Sequence, residues 1–275
     1  MTALLARAGK YASLILATLV ALVPLVVVLF AAMKSSTEYA RTGPLVPPSN
    51  WLNFSNFTTA FTDGNMLQGF INTGFILIVS VTGTIFIGTM TAYALDRFDF
   101  RFKKMVFGLF LIATLVPGVT TQVATFQVIN RLGLYDTRWS AIALFMGTDI
   151  VSIYIFIQFM QSIPHSLDEA AMLDGASRFT IYWRVILPLL GPAIATVVII
   201  KGIAIYNEFY IPFLYMPSQN LAVVSTSLFR FTGPYGGSHW ELINAATIIV
   251  IAPTLLIFLF LQRFIYNGVT SGAAK

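Results

Sequence analysis

The residues able to do chemistry are few and gathered in one place. The 275-residue chain has 16 lysines and arginines, 11 aspartates and glutamates, two histidines and no cysteine. One stretch, SLDEAAMLDGASRFTIYWRVILPLL (166–190), holds Asp168, Glu169, Asp174, Arg178 and Arg184, with long apolar segments on either side. Ser166 followed by Glu169 has the spacing of a capping box, and Pro164 helps to stop the helix before it. A short helix is predicted over about 167–174. Gly175 then stands where helices end on a left-handed residue, a conformation glycine adopts cheaply. A second helix is predicted from about Ser177. Its Phe179, Tyr182, Trp183, Ile186 and Leu187 fall at i, i+3, i+4, i+7 and i+8, which makes one apolar stripe. Pro188 marks the start of the next apolar segment. The pattern reads as two short helices with a sharp elbow, one lying on its stripe. The other presents small residues, Ala170 and Ala171, that let a partner approach closely.

Other chemistry is excluded. Without cysteine there are no disulfides and no thiolate metal sites. His165 and His239 are too few and too far apart for a histidine metal cluster, and they suggest no serine–histidine–acid arrangement. No phosphate-cradling glycine loop with a following lysine occurs, so the chain does not hydrolyse ATP itself. Nothing supports an enzyme, and repeats of solenoid length are absent.

The elements around the elbow set its context. Hydrophobic residues make up 57% of the chain and charged residues 10%, with a mean hydropathy of +0.81. A soluble domain carries about 25% charged residues, so the surplus apolar surface must face lipid. Six spans are predicted, over about 11–33, 69–95, 105–128, 140–161, 189–215 and 243–266, each near the roughly 20 residues a bilayer requires. Arg7 and Lys10 precede the first like the start of a signal peptide. Its apolar run exceeds the roughly 7–15 residues of such a peptide, so it reads as a retained helix. Pro117 and Gly118 should kink the third.

Lysine and arginine set the orientation. With a cytoplasmic N-terminus, the inner segments hold Arg7, Lys10, Arg97, Arg101, Lys103, Lys104, Arg178, Arg184, Arg263 and Lys275. The outer loops then hold only Lys34, Arg41, Arg131, Arg138 and Arg230. This places both termini and the 162–188 loop in the cytoplasm. The +5 net charge is therefore a topology signal and not a sign of nucleic-acid binding. An interfacial helix resting on headgroups is the plain alternative for the elbow. It leaves the acids and alanines unexplained, because an anionic leaflet attracts lysine and arginine.

Within spans, Asp149 lies in the fourth, and Lys201 and Glu208 in the fifth beside Tyr206 and Asn207. Charges there are expensive and face the bundle interior. Lys201 and Glu208 share a helix face about 10 Å apart in rise, too far for a direct bridge. Pairing with neighbouring helices and a polar lining of a solute path both remain open. In the outer loop at about 34–68, Trp51, Phe54, Phe57 and Phe61 fall near helical spacing and read first as an interfacial aromatic belt. The loop at about 216–242 carries FRFTGPYGGSHW.

The sequence EAAMLDG, followed by nine residues and VILP, resembles the EAA loop of binding-protein-dependent ABC importer permeases. It fits at Glu169, Ala170, Ala171, Gly175, Leu187 and Pro188, with Val185 in place of isoleucine. LPLVVVLFAAMKSS, INTGFILIVSVTGTIFIGTMTAYALDRFDFRFKK, INRLGLYDTRWSAIAL, YNEFYIPFLY and LQRFIYNGVTSGAAK resemble the maltose-type carbohydrate permeases, in particular their shorter six-span subunit. The resemblance implies that the short helix docks into a cleft on a cytoplasmic ATPase, through Glu169, Ala170, Ala171, Asp174, Gly175, Leu187 and Pro188. It sets Tyr206, Asn207 and Glu208 where the family has Trp-Asn-Asp/Glu, although Tyr206 departs from that tryptophan. It makes the last outer loop, with Phe231, Gly233, Tyr235, Gly236 and Gly237, a contact for the binding protein; the 34–68 loop is a second candidate for such contact.

The expectation is thus an all-α polytopic membrane protein of one domain, 1–275, in the bacterial inner membrane. It implies a second permease subunit, two ATPase subunits that use ATP and magnesium, an external sugar-binding protein and a sugar substrate. The chain itself needs no cofactor. A permease of the same architecture for a polyol, glycerol phosphate or amino acid is one alternative. An ion-coupled secondary transporter is another, although its distinctive charges would lie near the membrane midplane rather than in a cytoplasmic loop.

Overall fold

The computed structural model describes residues 2–147, 149–233 and 237–273, the side chains of 2–6, 8, 119, 257–258 and 260–273 apart. Among the described residues every regular element is helical. In chain order these are α1 (Thr2–Met33), α2 (Ser36–Arg41), α3 (Ser55–Asp63), α4 (Met66–Arg97), α5 (Lys103–Leu115), α6 (Gly118–Arg131), α7 (Arg138–Met146), α8 (Ile150–Gln161), α9 (Ser166–Leu173), α10 (Arg178–Ile181), α11 (Leu187–Leu189), α12 (Gly191–Asn207), α13 (Tyr210–Tyr215), α14 (Val224–Ser227) and α15 (Trp240–Ala273). A π-helical turn, Tyr182–Ile186, joins α10 to α11.

Among the described residues two helices are long and apolar enough to cross a bilayer unbroken, α1 from Gly9 to Met33 and α4. Along α1 large apolar side chains stand open, among them Leu14, Ile15, Leu19 and Val20, a surface suited to lipid or to another apolar helix. Three helix pairs are together apolar and long enough for a crossing but sharply bent. Two lie within the third and fourth predicted spans, α5 with α6 at 108° and α7 with α8 at 43°. The other, the Arg178–Leu189 segment with α12 at 70°, begins well ahead of the fifth. The predicted sixth span falls within α15, where Trp240–Leu256 is a shorter apolar stretch among the described residues.

The breaks have local causes. At Pro117 the expected kink is a corner. Val116 is extended (φ −83°, ψ 113°), because a residue before proline is pushed out of the helical region. Between α7 and α8, Gly147 ends the old helix and Asp149 caps the new one, its Oδ1 accepting from the Ser152 N–H at 3.4 Å and its Oδ2 from Ser152 Oγ at 2.7 Å. The predicted fifth span stops short of residue 215, at Glu208 (ψ 122°), and α13 resumes the path.

The chain forms two compact units, one of residues 1–69 with 224–275 and the other of residues 70–223. In the first, α15 packs with α1 and α3. The carbonyls at the end of α1 have no intrahelical partner. The Asn56 side chain satisfies two of the carbonyls there, donating to Ala32 at 2.8 Å and Lys34 at 2.7 Å. The second unit has two buried clusters. One joins Ala92, Tyr93 and Leu95 of α4 to Phe156 and Met160 of α8, to Ile181, Tyr182 and Ile186, and to Val197 of α12. The other gathers Ile76, Phe145, Ile205, Met216 and Val223. A Cβ on Gly88 would lie 2.9 Å from the Phe156 ring, so the ring of α8 packs directly onto the α4 backbone at that glycine.

Candidate functional site

The elbow is α9, Gly175 and α10. The helix begins differently from the capping-box expectation. His165 precedes it in helical geometry (φ −62°, ψ −23°) and accepts backbone N–H groups from Asp168 and Glu169. Ser166 is already inside the helix, so its side chain cannot serve as a cap, which needs an extended residue. The far end follows the expectation. Gly175 is left-handed at φ +79°. The Gly175 N–H donates to the Met172 carbonyl and the Ala176 N–H to that of Ala171, each at 3.0 Å, which is a Schellman turn. Ser177 caps α10, its hydroxyl accepting from the Thr180 N–H.

α9 has two unlike faces. Asp168 is 2% exposed, and Ala171 and Met172 pack against the core. Glu169, Ala170, Leu173, Asp174 and Gly175 are exposed, and Leu173 shows 90% of its surface. The two alanines expected to face a partner therefore divide, Ala170 outward and Ala171 half inward. The expected stripe beyond the elbow also divides. Tyr182 and Ile186 are buried together with Ile181, whereas Phe179 and Trp183 are exposed and pack edge to face at 6.0 Å. The π turn, Tyr182–Ile186, widens the helical step, and the buried side is made by Ile181, Tyr182 and Ile186 while Phe179 and Trp183 pair on the open side. It sits just ahead of Pro188, whose ring and missing N–H oppose the α pattern. Leu187 is half-buried against the core and Pro188 is exposed.

The end of α4 holds this elbow, and nothing in the sequence announces it. Arg97 donates from Nη1 to Asp96 and from Nη2 to the Ile163 carbonyl, each at 2.8 Å, and its Nε lies 3.1 Å from Asp168 Oδ2. The Arg97 and Asp168 side chains are 1% and 4% exposed. Tyr93 donates its hydroxyl to the Arg178 carbonyl at 3.3 Å, and the Arg178 guanidinium lies over the Phe98 ring. The hydroxyls of Thr89 and Tyr182 meet at 2.7 Å.

The residues expected in a solute path lie elsewhere in the same unit. Lys201 and Asp149 form a cross-helix ion pair at 2.9 Å. Glu208 sits in the break between α12 and α13, where its Oε1 accepts the N–H groups of Tyr210 at 2.8 Å and Ile211 at 3.2 Å. That geometry caps α13. Asn207 ends α12 and is exposed. Tyr206 lines a cavity of about 10 Å³, space for one water, with Thr73, Ile76 and Phe145 among its walls. In the 216–242 loop Phe231 is buried, and its carbonyl accepts the His239 N–H at 3.0 Å. Gly233 stands against Gly237, with no room for a side chain between them. Tyr235 and Gly236 lie outside the described residues. In the first loop only Phe57 and Phe61 are helical, on α3; Trp51 packs edge-on against Phe30 at 5.4 Å. No group of histidines and acids suited to a metal is present among the described residues.

An all-helical, polytopic membrane protein is the class that the fold defines. Residues 84–271 match the family described as binding-protein-dependent transport system inner membrane component, and the chain belongs to it. It is 29% identical over 258 residues to the arabinooligosaccharides transport system permease protein AraQ of Halalkalibacterium halodurans, covering 93% of this chain and 92% of that one. To the melibiose/raffinose/stachyose import permease protein MelC of Bacillus subtilis it is 28% identical over 285 residues, covering 98% and 99%. The fold is that of a chain in the crystal structure of a bacterial ABC transporter involved in the import of the acidic polysaccharide alginate, with a TM-score of 0.82, 20% identity, and coverage of 94% and 95%. The chain is thus a transport component of the inner membrane and not an ion-coupled secondary transporter.

Proposed function

We propose that the chain is one permease subunit of an ATP-driven sugar importer and that the elbow is its contact with a cytoplasmic ATPase. The observation that carries this is the exposed face of α9. Glu169, Ala170, Leu173 and Asp174 stand out together from a helix whose other face, Asp168, Ala171 and Met172, is seated on the core, so this face is left open to a partner. The EAA spacing at Glu169, Ala170, Ala171, Gly175, Leu187 and Pro188 supports the same reading. Ala171 and Met172 rest against the core, so movement of the partner is passed to the bundle. Both termini and the 162–188 loop are cytoplasmic, and a second permease subunit and two ATPase copies complete the unit. An external binding protein delivers the sugar, with Phe231, Gly233 and Gly237 in the loop that meets it. Sugars are favoured over polyols, glycerol phosphate or amino acids because AraQ and MelC carry oligosaccharide names.

The test is reconstitution in liposomes. Sugar uptake should require ATP, the second permease, two ATPase copies and the binding protein, and the isolated chain should neither bind sugar tightly nor hydrolyse ATP. Uptake by this chain alone in ATP-free liposomes, driven by an ion gradient, would overturn the reading.

A further inference from the structure

The buried cluster at the end of α4 is used by no part of the reading above. One guanidinium faces two carboxylates, Asp96 and Asp168, and one backbone carbonyl, that of Ile163. Asp96 and Ile163 take well-formed hydrogen bonds at 2.8 Å. Asp168 does not. Its Oδ2 lies 3.1 Å from Nε, yet Nε and both Asp168 oxygens are buried without a hydrogen-bond partner among the described residues. The two contacts differ in kind. A hydrogen bond is directional and weakens steeply as it bends. Attraction between two buried charges depends on distance and survives a change of angle.

The difference has a geometric meaning. Ile163 stands in the chain just before α9 and is fixed to Arg97. Asp168 stands in the first turn of α9, on its buried face, and is held by charge alone. α9 can therefore tilt about the guanidinium while its root stays fastened. We propose that Arg97 is a positioning residue, the pivot through which displacement of α9 is passed to α4. The proposal rests on the reading of the elbow as the ATPase contact. Through Tyr93 and Phe98 the same end of α4 grips the Arg178 limb, so both limbs of the elbow turn against one post.

The test uses the complete reconstituted importer and reads uptake and ATP hydrolysis together. Asp168→Asn keeps the shape and removes the charge. Expected are normal membrane levels, retained ATPase subunits and continuing hydrolysis, with sugar moved per ATP down about 5- to 150-fold, the usual size of a coupling between sites. Asp168→Glu should recover most of the loss. A purely structural role would lower yield and uptake together and leave uptake per ATP unchanged, which overturns the proposal. If Asp168→Asn does not reach the membrane, Arg97→Lys carries the test. It keeps the cation but loses the fork that holds Ile163, and unchanged uptake per ATP in that variant equally overturns the pivot. Failure of the underlying reading shows separately, in the unaltered chain, as uptake that needs no ATPase subunit, and it overturns both.

Discussion

Replacing Gly175 by leucine separates the cost to the chain from the cost to a partner. Gly175 is left-handed at φ +79°, and a side chain there would meet nothing within 4 Å. The change should thus cost the isolated chain only the backbone strain, about 1–2 kcal/mol. Gly133 supplies an internal control. It is left-handed at φ +68°, opens onto equally empty space, and closes α6 with the same Schellman pair, Gly133 to Asn130 and Leu134 to Ile129. Gly133→Leu therefore carries the same strain but faces the opposite side of the membrane in the proposed orientation. At Gly175 an ATPase cleft closing around Ala170 should add an overpacking cost of about 1–3 kcal/mol. At about 1.4 kcal/mol per tenfold, that is roughly a tenfold to hundredfold loss of productive complex. The assay is affinity purification from membranes, with retained ATPase subunits and sugar uptake measured for both variants. Gly175→Leu should reach the membrane normally, shed its ATPase and transport at least about tenfold less; Gly133→Leu should behave nearly as the unaltered protein. Equal behaviour of the two variants, or full uptake by Gly175→Leu with the ATPase still bound, would refute the docking role.

Three further outcomes are expected. Reporter fusions after Gln161 and at Lys275 should score cytoplasmic and those near Gly64, Leu134 and Gly236 external; an external signal from the 162–188 loop would sink the orientation. Lys201→Met strands Asp149 and should lower stability by about 3 kcal/mol, and adding Asp149→Asn should restore more than half, as read by thermal unfolding in detergent; no restoration would mean that the pair is not the source. Glu208→Ala frees two N–H groups of α13 and should cost about 1 kcal/mol, visible as lower yield of complex, whereas Glu208→Gln keeps an acceptor and the yield. Normal yield with uptake abolished in Glu208→Gln would instead place that carboxylate in the solute path.

The elbow was legible because its signals are local. Gly175 after a run of helix formers, and Pro188 ten residues beyond Arg178, act through backbone conformation, which neighbours in sequence decide. The polytopic class was legible for a bulk reason, since so much apolar surface admits no other solvent. What escaped is non-local or depends on small competitions. Nothing in the sequence distinguishes Asp168 from Glu169 as the buried acid; the turn of α9 against the core does that. Arg97 read as one of several topology charges, yet it is among the most buried side chains of its unit. The capping box failed because the chain after Pro164 turned helical one residue early, a competition of about 1 kcal/mol that a motif does not settle. Pro117 was visible as a breaker, but whether it kinks or corners depends on what packs against each half. Glu208 read as a path residue or a structural one, and only its distance to the Tyr210 and Ile211 amides shows the capping geometry.

The Asp149–Lys201 pair also bears on how the protein is made. Asp149 leaves the ribosome before Lys201, by roughly 3–10 s at about 5–20 residues per second. During that interval the fourth hydrophobic segment must enter the bilayer with its acid uncompensated by its eventual partner. The two Ser152 donors belong to the same helix and form as soon as that helix does, so the carboxylate has local solvation from the start. Lys201 arrives later to a site already shaped. Removing the Ser152 hydroxyl should then leave the finished ion pair largely intact and yet delay membrane integration, a defect of synthesis rather than of the mature transporter.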